Sequence, residues 1–193
     1  MKQIILLAFV FLSSISAKAN DAFTSSDSKA SVEKTIFGFQ TGFFGIWANN
    51  ETRLANQFAL RSEIGFNMAY VGGGFFGGNG LVLIPTISIE PRWYYNLNKR
   101  VEKQRPIHKN SANFVSIQTT YIPDWFVVSK LEVGVPHQIT IIPTWGIKRT
   151  ALKHLTYEIG GGIGYGYSFI ENASLRFKSD VAINILLRIG YTF

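Results

Sequence analysis

At 193 residues the chain has the length of one domain, and with no cysteine it carries neither a disulfide framework nor an acylated cysteine anchor. Its 19 Lys and Arg outnumber 12 Asp and Glu; setting aside Lys2 and Lys18, for the reason given next, leaves 17 − 12 = +5. That excess is modest and not gathered on one face, so no nucleic-acid partner is expected, and the densest basic segment, residues 99–109, reads as a connection.

The opening residues read as an export signal. Lys2 gives a positive start, residues 4–12 are almost unbroken apolar, and Ala17-Lys18-Ala19 is an A-x-A site, so residues 1–19 are expected to be cleaved before Asn20. The apolar run is well short of the roughly 20 residues that cross a bilayer as a helix. Residues 20–34 form a polar, Ser-rich lead with no hydrophobic period, expected to be disordered or loosely paired.

From Thr35 onward, residues 35–193, the pattern changes to period-2 alternation. It runs in segments near 35–48, 56–70, 81–95, 112–123, 138–149, 154–169 and 180–193, long enough to cross a bilayer as tilted strands of about 9–11 residues. In 56–70, Phe58, Leu60, Ile64, Phe66, Met68 and Tyr70 oppose Arg61, Glu63, Gly65 and Asn67. In 81–95, Leu83, Ile87, Ile89, Trp93 and Tyr95 oppose Thr86, Ser88, Glu90, Arg92 and Tyr94. Ile139, Ile141, Pro143, Trp145 and Ile147 form the apolar set of 138–149. In 154–169, Tyr157, Ile159, Ile163, Tyr165 and Tyr167 oppose Glu158 and alternate glycines, which leave room where an inner face curves tightly. The last segment sets Val181, Ile183, Ile185, Leu187, Ile189, Tyr191 and Phe193 against Ala182, Asn184, Leu186, Arg188, Gly190 and Thr192.

A soluble β-sandwich also alternates. Three features favour a membrane barrel instead: strands longer than the usual five or six residues, Trp and Tyr recurring near strand ends as an interfacial girdle, and an ending on Tyr191-Thr192-Phe193. The fold expected is all-β, a closed antiparallel up-and-down transmembrane β-barrel. Seven segments are one short of an even number, so eight strands are expected. The missing one lies either in residues 126–135 or in the polar lead. The first choice makes residues 96–113 a long outer loop. The second, which is favoured, makes them a long periplasmic turn, puts residues 71–80, 129–138 and 171–179 outside, and places Asn49-Asn50-Glu51 and residues 149–153 on the short-turn side.

The segments Pro91-Arg92-Trp93-Tyr94-Tyr95-Asn96-Leu97, Pro123-Asp124-Trp125 and Arg188-Ile189-Gly190-Tyr191-Thr192-Phe193 resemble those of small bacterial outer-membrane β-barrels of the OmpA-like class. The resemblance implies an outer-membrane location, lipid as surroundings, and periplasmic chaperones and the barrel-assembly machinery as partners in transit. Tyr191 and Phe193 would be the signal that machinery reads. It implies no activity.

Pleat parity turns Arg61, Glu63, Glu90, Arg92, Lys148, Glu158 and Arg188 inward. Eight strands enclose a lumen just wide enough to be filled by side chains, so these charges are expected to form a buried network that plugs it; a narrow small-solute path lined by the same residues is the alternative. Enzymatic readings find little footing. A lipid-modifying barrel enzyme would use a Ser activated by His; Ser129 and His137 share one connection, with no supporting acid evident. His108, His137 and His154 lack metal-ligand spacing, and neither a metal nor a cofactor is expected. Gly72, Gly74 and Gly77 match G-x-G-x-x-G, but Gly78-Asn79-Gly80 follows in place of a helix. The expectation is a structural or surface-interaction barrel, with the loop bearing Phe75 and Phe76 meeting an unidentified surface partner.

Overall fold

The computed structural model describes residues 30–72, 79–131, 133–169 and 179–193. The expected leader, residues 1–19, the glycines and phenylalanines of 73–78, and most of the segment 171–179 lie outside them. The strands are β1 (Thr35–Gly42), β2 (Gly45–Ala55), β3 (Phe58–Val71), β4 (Gly80–Trp93), β5 (Asn113–Ile122), β6 (Val128–Ser129), β7 (His137–Thr150), β8 (Leu155–Phe169) and β9 (Ser179–Thr192). All belong to one antiparallel sheet, and pairing of β1 with β9 closes the eight long strands into a ring, β1-β2-β3-β4-β5-β7-β8-β9. The two-residue β6 adds only to the edge of β4, through Val82 and Leu83.

The eighth strand is in neither predicted place. Residues 35–48 do not form one strand: the chain reverses at Phe43-Phe44, so β1 and β2 are a hairpin with Gly42 opposite Gly45. Residues 126–135 supply only β6, and no described part of the polar lead is a strand. Asn49-Asn50-Glu51, expected beside a turn, lies within β2, paired with Gly38, Phe37 and Ile36.

One end of the ring, the near end, carries Phe193, the tight β2–β3 and β7–β8 turns, and the β4–β5 connection. That connection is not a plain loop. It contains the helix α1 (Leu97–Glu102) and a 3-10 turn, His108–Asn110, and it buries Leu97 and Arg100. Arg100 donates from Nε and Nη2 to the Pro106 carbonyl, and burial, followed by nearby Arg105, pulls its guanidinium below the usual arginine range. The described end of the polar lead is tied down rather than loose: the Val32 amide donates to Asn56 O at 2.8 Å, Glu33 N to Asn110 Oδ1 at 2.8 Å, and Arg53 reaches Ser31 Oγ at 2.7 Å. Ala30 and Val32 join Ala59, Tyr94, Leu97 and Phe114 in a small apolar cluster that caps this end. The far end carries the strand ends flanking residues 72–79 and 170–178 and the β5–β7 connection. The favoured grouping of segments 71–80, 129–138 and 171–179 at one end therefore matches the chain path, although its premise about the lead does not.

Candidate functional site

Alternation sorts the side chains with polar groups inside and apolar groups outside. Every long strand presents an exposed apolar side chain outward: Phe39 on β1, Ile46 on β2, Ile64 on β3, Ile89 on β4, Ile117 on β5, Ile141 on β7, Ile163 on β8 and Ile183 on β9, each about half or more exposed. Aromatics flank this aliphatic band. Near the α1 end, Phe58 stacks on Trp93, Trp93 meets Tyr95, and Trp145 Nε1 donates to Tyr95 Oη at 3.0 Å. Tyr191 and Phe193 face outward there too, in edge contact with each other at 5.1 Å, with Phe193 also against Phe39. Toward the far end Tyr70, Tyr165, Tyr167 and Phe169 are exposed.

The inside is ionic. Arg61, Glu63, Glu90, Arg92, Lys148 and Glu158 are all buried, and Arg188 joins them through Glu63. Glu158 accepts from Arg92 at 3.0 and 3.2 Å, from Arg61 at 3.2 Å and from Gln40 Nε2 at 3.1 Å. Glu63 bridges Arg61 Nη2 at 2.6 Å and Arg188 Nη1 at 2.7 Å. Glu90 accepts from Arg92 at 2.8 Å and from Ser116 Oγ at 2.6 Å. The seven predicted inward residues comprise four cations but three carboxylates. The fourth is Glu51, fully buried, which takes Lys148 Nζ at 2.7 Å, Arg61 and Arg92 at 3.3 Å, Tyr94 Oη at 2.9 Å and Asn110 Nδ2 at 2.8 Å. With Glu51 the network balances, and Gln40 threads it by accepting from Arg61 Nη2 at 2.7 Å while donating to Glu158. Glu51 was missed because β2 was not recognised, with the unbalanced cation as the signal, and Gln40, on β1, because no inner face was assigned to residues 35–48. A Tyr94→Phe variant, which removes only the hydroxyl on Glu51, is expected to lose about 1.5–3 kcal/mol in urea unfolding, and no loss would mean that this bond does not hold the cap to the network.

Network and cap together fill the near half of the interior. The far half holds a chamber of about 450 Å3 with the Glu63–Arg188 pair at its floor. Arg188 lies over the Trp47 ring at 4.0 Å, and Trp47 Nε1 donates to Asn67 Oδ1 at 3.1 Å. Above them, Ser88 and Thr120 share a hydrogen bond of 2.8 Å, and Asn184 Nδ2 donates to Gln118 Oε1 at 2.5 Å.

Ser129 and His137 are not assembled as a nucleophile and base. Ser129 Oγ accepts from the Leu131 amide, while His137 offers Nδ1 to Tyr121 Oη at 3.1 Å and Nε2 to Asp124 at 2.8 Å. An acid partner for His137 therefore exists, contrary to expectation, but it clasps the base of the β5–β7 connection. His154 stacks on Tyr191 and His108 sits in the 3-10 turn. Among the described residues no His, Asp and Glu cluster could hold a metal ion. No protein family, no curated protein and no solved structure matches the chain.

Proposed function

We propose that the chain is a bacterial outer-membrane β-barrel of the OmpA-like kind, plugged at its near end, with a structural or surface-interaction role. The observation that carries this is the inversion of the two faces. Exposed apolar side chains stand on the outside of all eight long strands, aliphatic on seven and Phe37 and Phe39 on β1, while four cations and four carboxylates pair within. In water an outer face of this kind would be far larger than the apolar patches soluble monomers tolerate; in a bilayer it is the lipid-facing surface, and the aromatic rows at either edge of the band are its interfacial girdles. A closed ring also leaves most strand edges paired, as hydrocarbon demands.

Short turns on the periplasmic side and longer connections outside are the rule for such barrels; two of the three near-end connections are short and three of the four far-end ones are longer, so we assign α1 and Phe193 to the periplasmic end, with residues 94–112 as its one long connection. The far end then faces out. Its described connection exposes Trp125 and Phe126, and Phe126 is braced against Phe66, which suits contact with a surface partner. Tyr191 and Phe193, outward and unburied, are the residues the assembly machinery would read. The test is migration of the protein, extracted from isolated outer membranes, on a denaturing gel before and after boiling, followed by conductance across a planar bilayer. The expected result is a heat-dependent shift and no channel steps. Recovery from the periplasm without a shift overturns the membrane reading, and steady steps overturn the plug and favour a small-solute pore.

A further inference from the structure

The wall of the ring is not equally tall all round. Gly42 is opposite Arg188 on β9 and Gly45 is opposite Asn67 on β3, so the β1–β2 hairpin ends at that level. Its neighbours continue: β9 extends back to Ser179 and β3 onward to Val71. Apart from the Met68 amide, which donates to Phe44 O at 2.7 Å, the edges of β3 from Met68 to Val71 and of β9 from Ser179 to Leu187 that face this gap pair with no strand among the described residues. Two strands are absent from the wall there, a notch on the order of 10 Å wide at ordinary strand spacing.

Three observations say what the notch faces. On β8, Tyr165 is opposite Val181, Ile163 opposite Ile183, Ile159 opposite Leu187 and Tyr157 opposite Ile189. Beside β9 the lower part of the notch, Ile183 to Leu187, thus lies between the two aromatic rows, within the aliphatic band, and its upper part, Ser179 to Val181, is level with the far row. The hairpin tip at its lower rim is Phe43-Phe44, with Phe43 81% exposed, where a turn in water would carry Gly, Asn or Asp. The chamber also reaches the notch, because Phe44, Met68, Ile183 and Ile185 border it although both isoleucine side chains point out of the ring. An opening at this level meets hydrocarbon on one side and a polar chamber on the other.

The chamber selects by chemistry. After their internal bonds, the Asn67 and Gln118 amide nitrogens, the Asn184 amide oxygen and the Thr140 hydroxyl have no protein hydrogen-bond partner among the described residues. Donors and acceptors are both on offer, whereas the charges below are already matched, four against four. An added anion would leave the formal charge unbalanced beside Glu63, and its one cationic contact on the lining would be Arg188, whose Nη1 is already held by Glu63. We propose that the notch is a lateral port and the chamber a binding site for an uncharged, hydroxyl-bearing amphiphile, its head among Asn67, Gln118 and Asn184 and its alkyl chain leaving past Phe44 and the β9 edge into the lipid. Water and the bound head then satisfy the open strand edges, which hydrocarbon could not.

This rests on the outer-membrane reading, and the test separates the two. Protein with Trp93→Phe, Trp125→Phe and Trp145→Phe keeps Trp47 as its sole tryptophan beside the chamber. It is refolded into phosphatidylcholine vesicles and titrated with monopalmitoylglycerol brominated next to its ester. The expected result is saturable quenching of Trp47, reversed by plain monopalmitoylglycerol, reversed about tenfold less well by palmitate, and not reversed by hexadecane. Thr120→Phe, which fills the chamber without touching the charge network, should abolish the saturable phase and keep the heat-dependent gel shift. Quenching that never saturates, relief by hexadecane as good as by the glyceride, palmitate as the better competitor, or unaltered quenching in the Thr120→Phe protein each overturns the proposal. So does an Ile183→Cys protein that forms disulfide dimers in the vesicles, which would give the β9 edge to a second copy. A gel shift without saturable quenching defeats the port alone, and absence of the shift defeats the outer-membrane reading beneath it.

Discussion

Glu158→Ala is expected to lower the unfolding free energy by about 3–5 kcal/mol, the usual cost of removing one partner from a buried ionic cluster. Glu158 accepts from Arg92, Arg61 and Gln40 at once, and Lys148 Nζ stands 4.0 Å away. Removing its carboxylate leaves four cations over three anions in a space without bulk water. Both arginines are already short of partners, since Arg61 Nε and Arg92 Nε make no hydrogen bond, so neither has a spare acceptor to turn to. Lys148→Met strips a cation instead and should cost less, because Glu51 keeps Arg61, Arg92, Tyr94 and Asn110. Removing a cation and an anion together, as Glu158→Leu with Arg92→Met, should recover part of the loss, as apolar replacements of buried ion clusters do. Urea unfolding of the four proteins in the same vesicles measures this. A loss below about 1 kcal/mol for Glu158→Ala, the range of solvated surface pairs, would mean that water reaches the network and the near end is not plugged.

The inner face was legible in the strands whose outer residues had been assigned, because a period of two leaves no freedom once one residue is placed. Arg61, Glu90, Arg92 and Glu158 followed from neighbours such as Ile89 and Ile159 that had to be outside. The β1–β2 hairpin was hidden for a physical reason. A turn is normally announced by residues that want water, and Phe43-Phe44 continues the apolar run of β1 straight through the reversal; only the flanking Gly42 and Gly45, the latter at φ +154°, mark it. Asn49-Asn50-Glu51 misled in the opposite sense. Its polarity suggests a turn, yet Glu51 is polar because it faces the interior cations, and Asn50 Nδ2 donates to Ile36 O across the pair at 3.1 Å. The notch beside the chamber was not legible at all, since it arises from one hairpin being shorter than its neighbours, and strand length relative to neighbours is a property of register.

Gly162→Val is expected to prevent ring closure, with a cost at or beyond the roughly 3 kcal/mol at the upper end of overpacking in a core. A β-carbon at Gly162 would stand 2.0 Å from the Pro143 carbonyl oxygen and 2.7 Å from Thr144 Oγ1, and one at Gly164 would stand 2.1 Å from Ile141 O. The nearest obstacle is backbone, so no rotamer change relieves it; β7 itself would have to move. The approach is close because the sheet bends here. Pro143 has no amide hydrogen to give, and the β7–β8 pairing is interrupted at Ile142 and Pro143, between Ile141 opposite Tyr165 and Thr144 opposite Gly162, without a change of register. Proline on one strand and alternate glycines on the other let eight strands turn through a full circle, a curvature that side chains on the inner face would obstruct. Gly134→Ala is the control, because a β-carbon there meets nothing within 4 Å, and it should change stability by no more than about 0.5 kcal/mol. If Gly162→Val folds with the same urea midpoint and the same heat-dependent shift as Gly134→Ala, β7 and β8 can separate at no cost, and the ring must close by spreading its curvature over other strands.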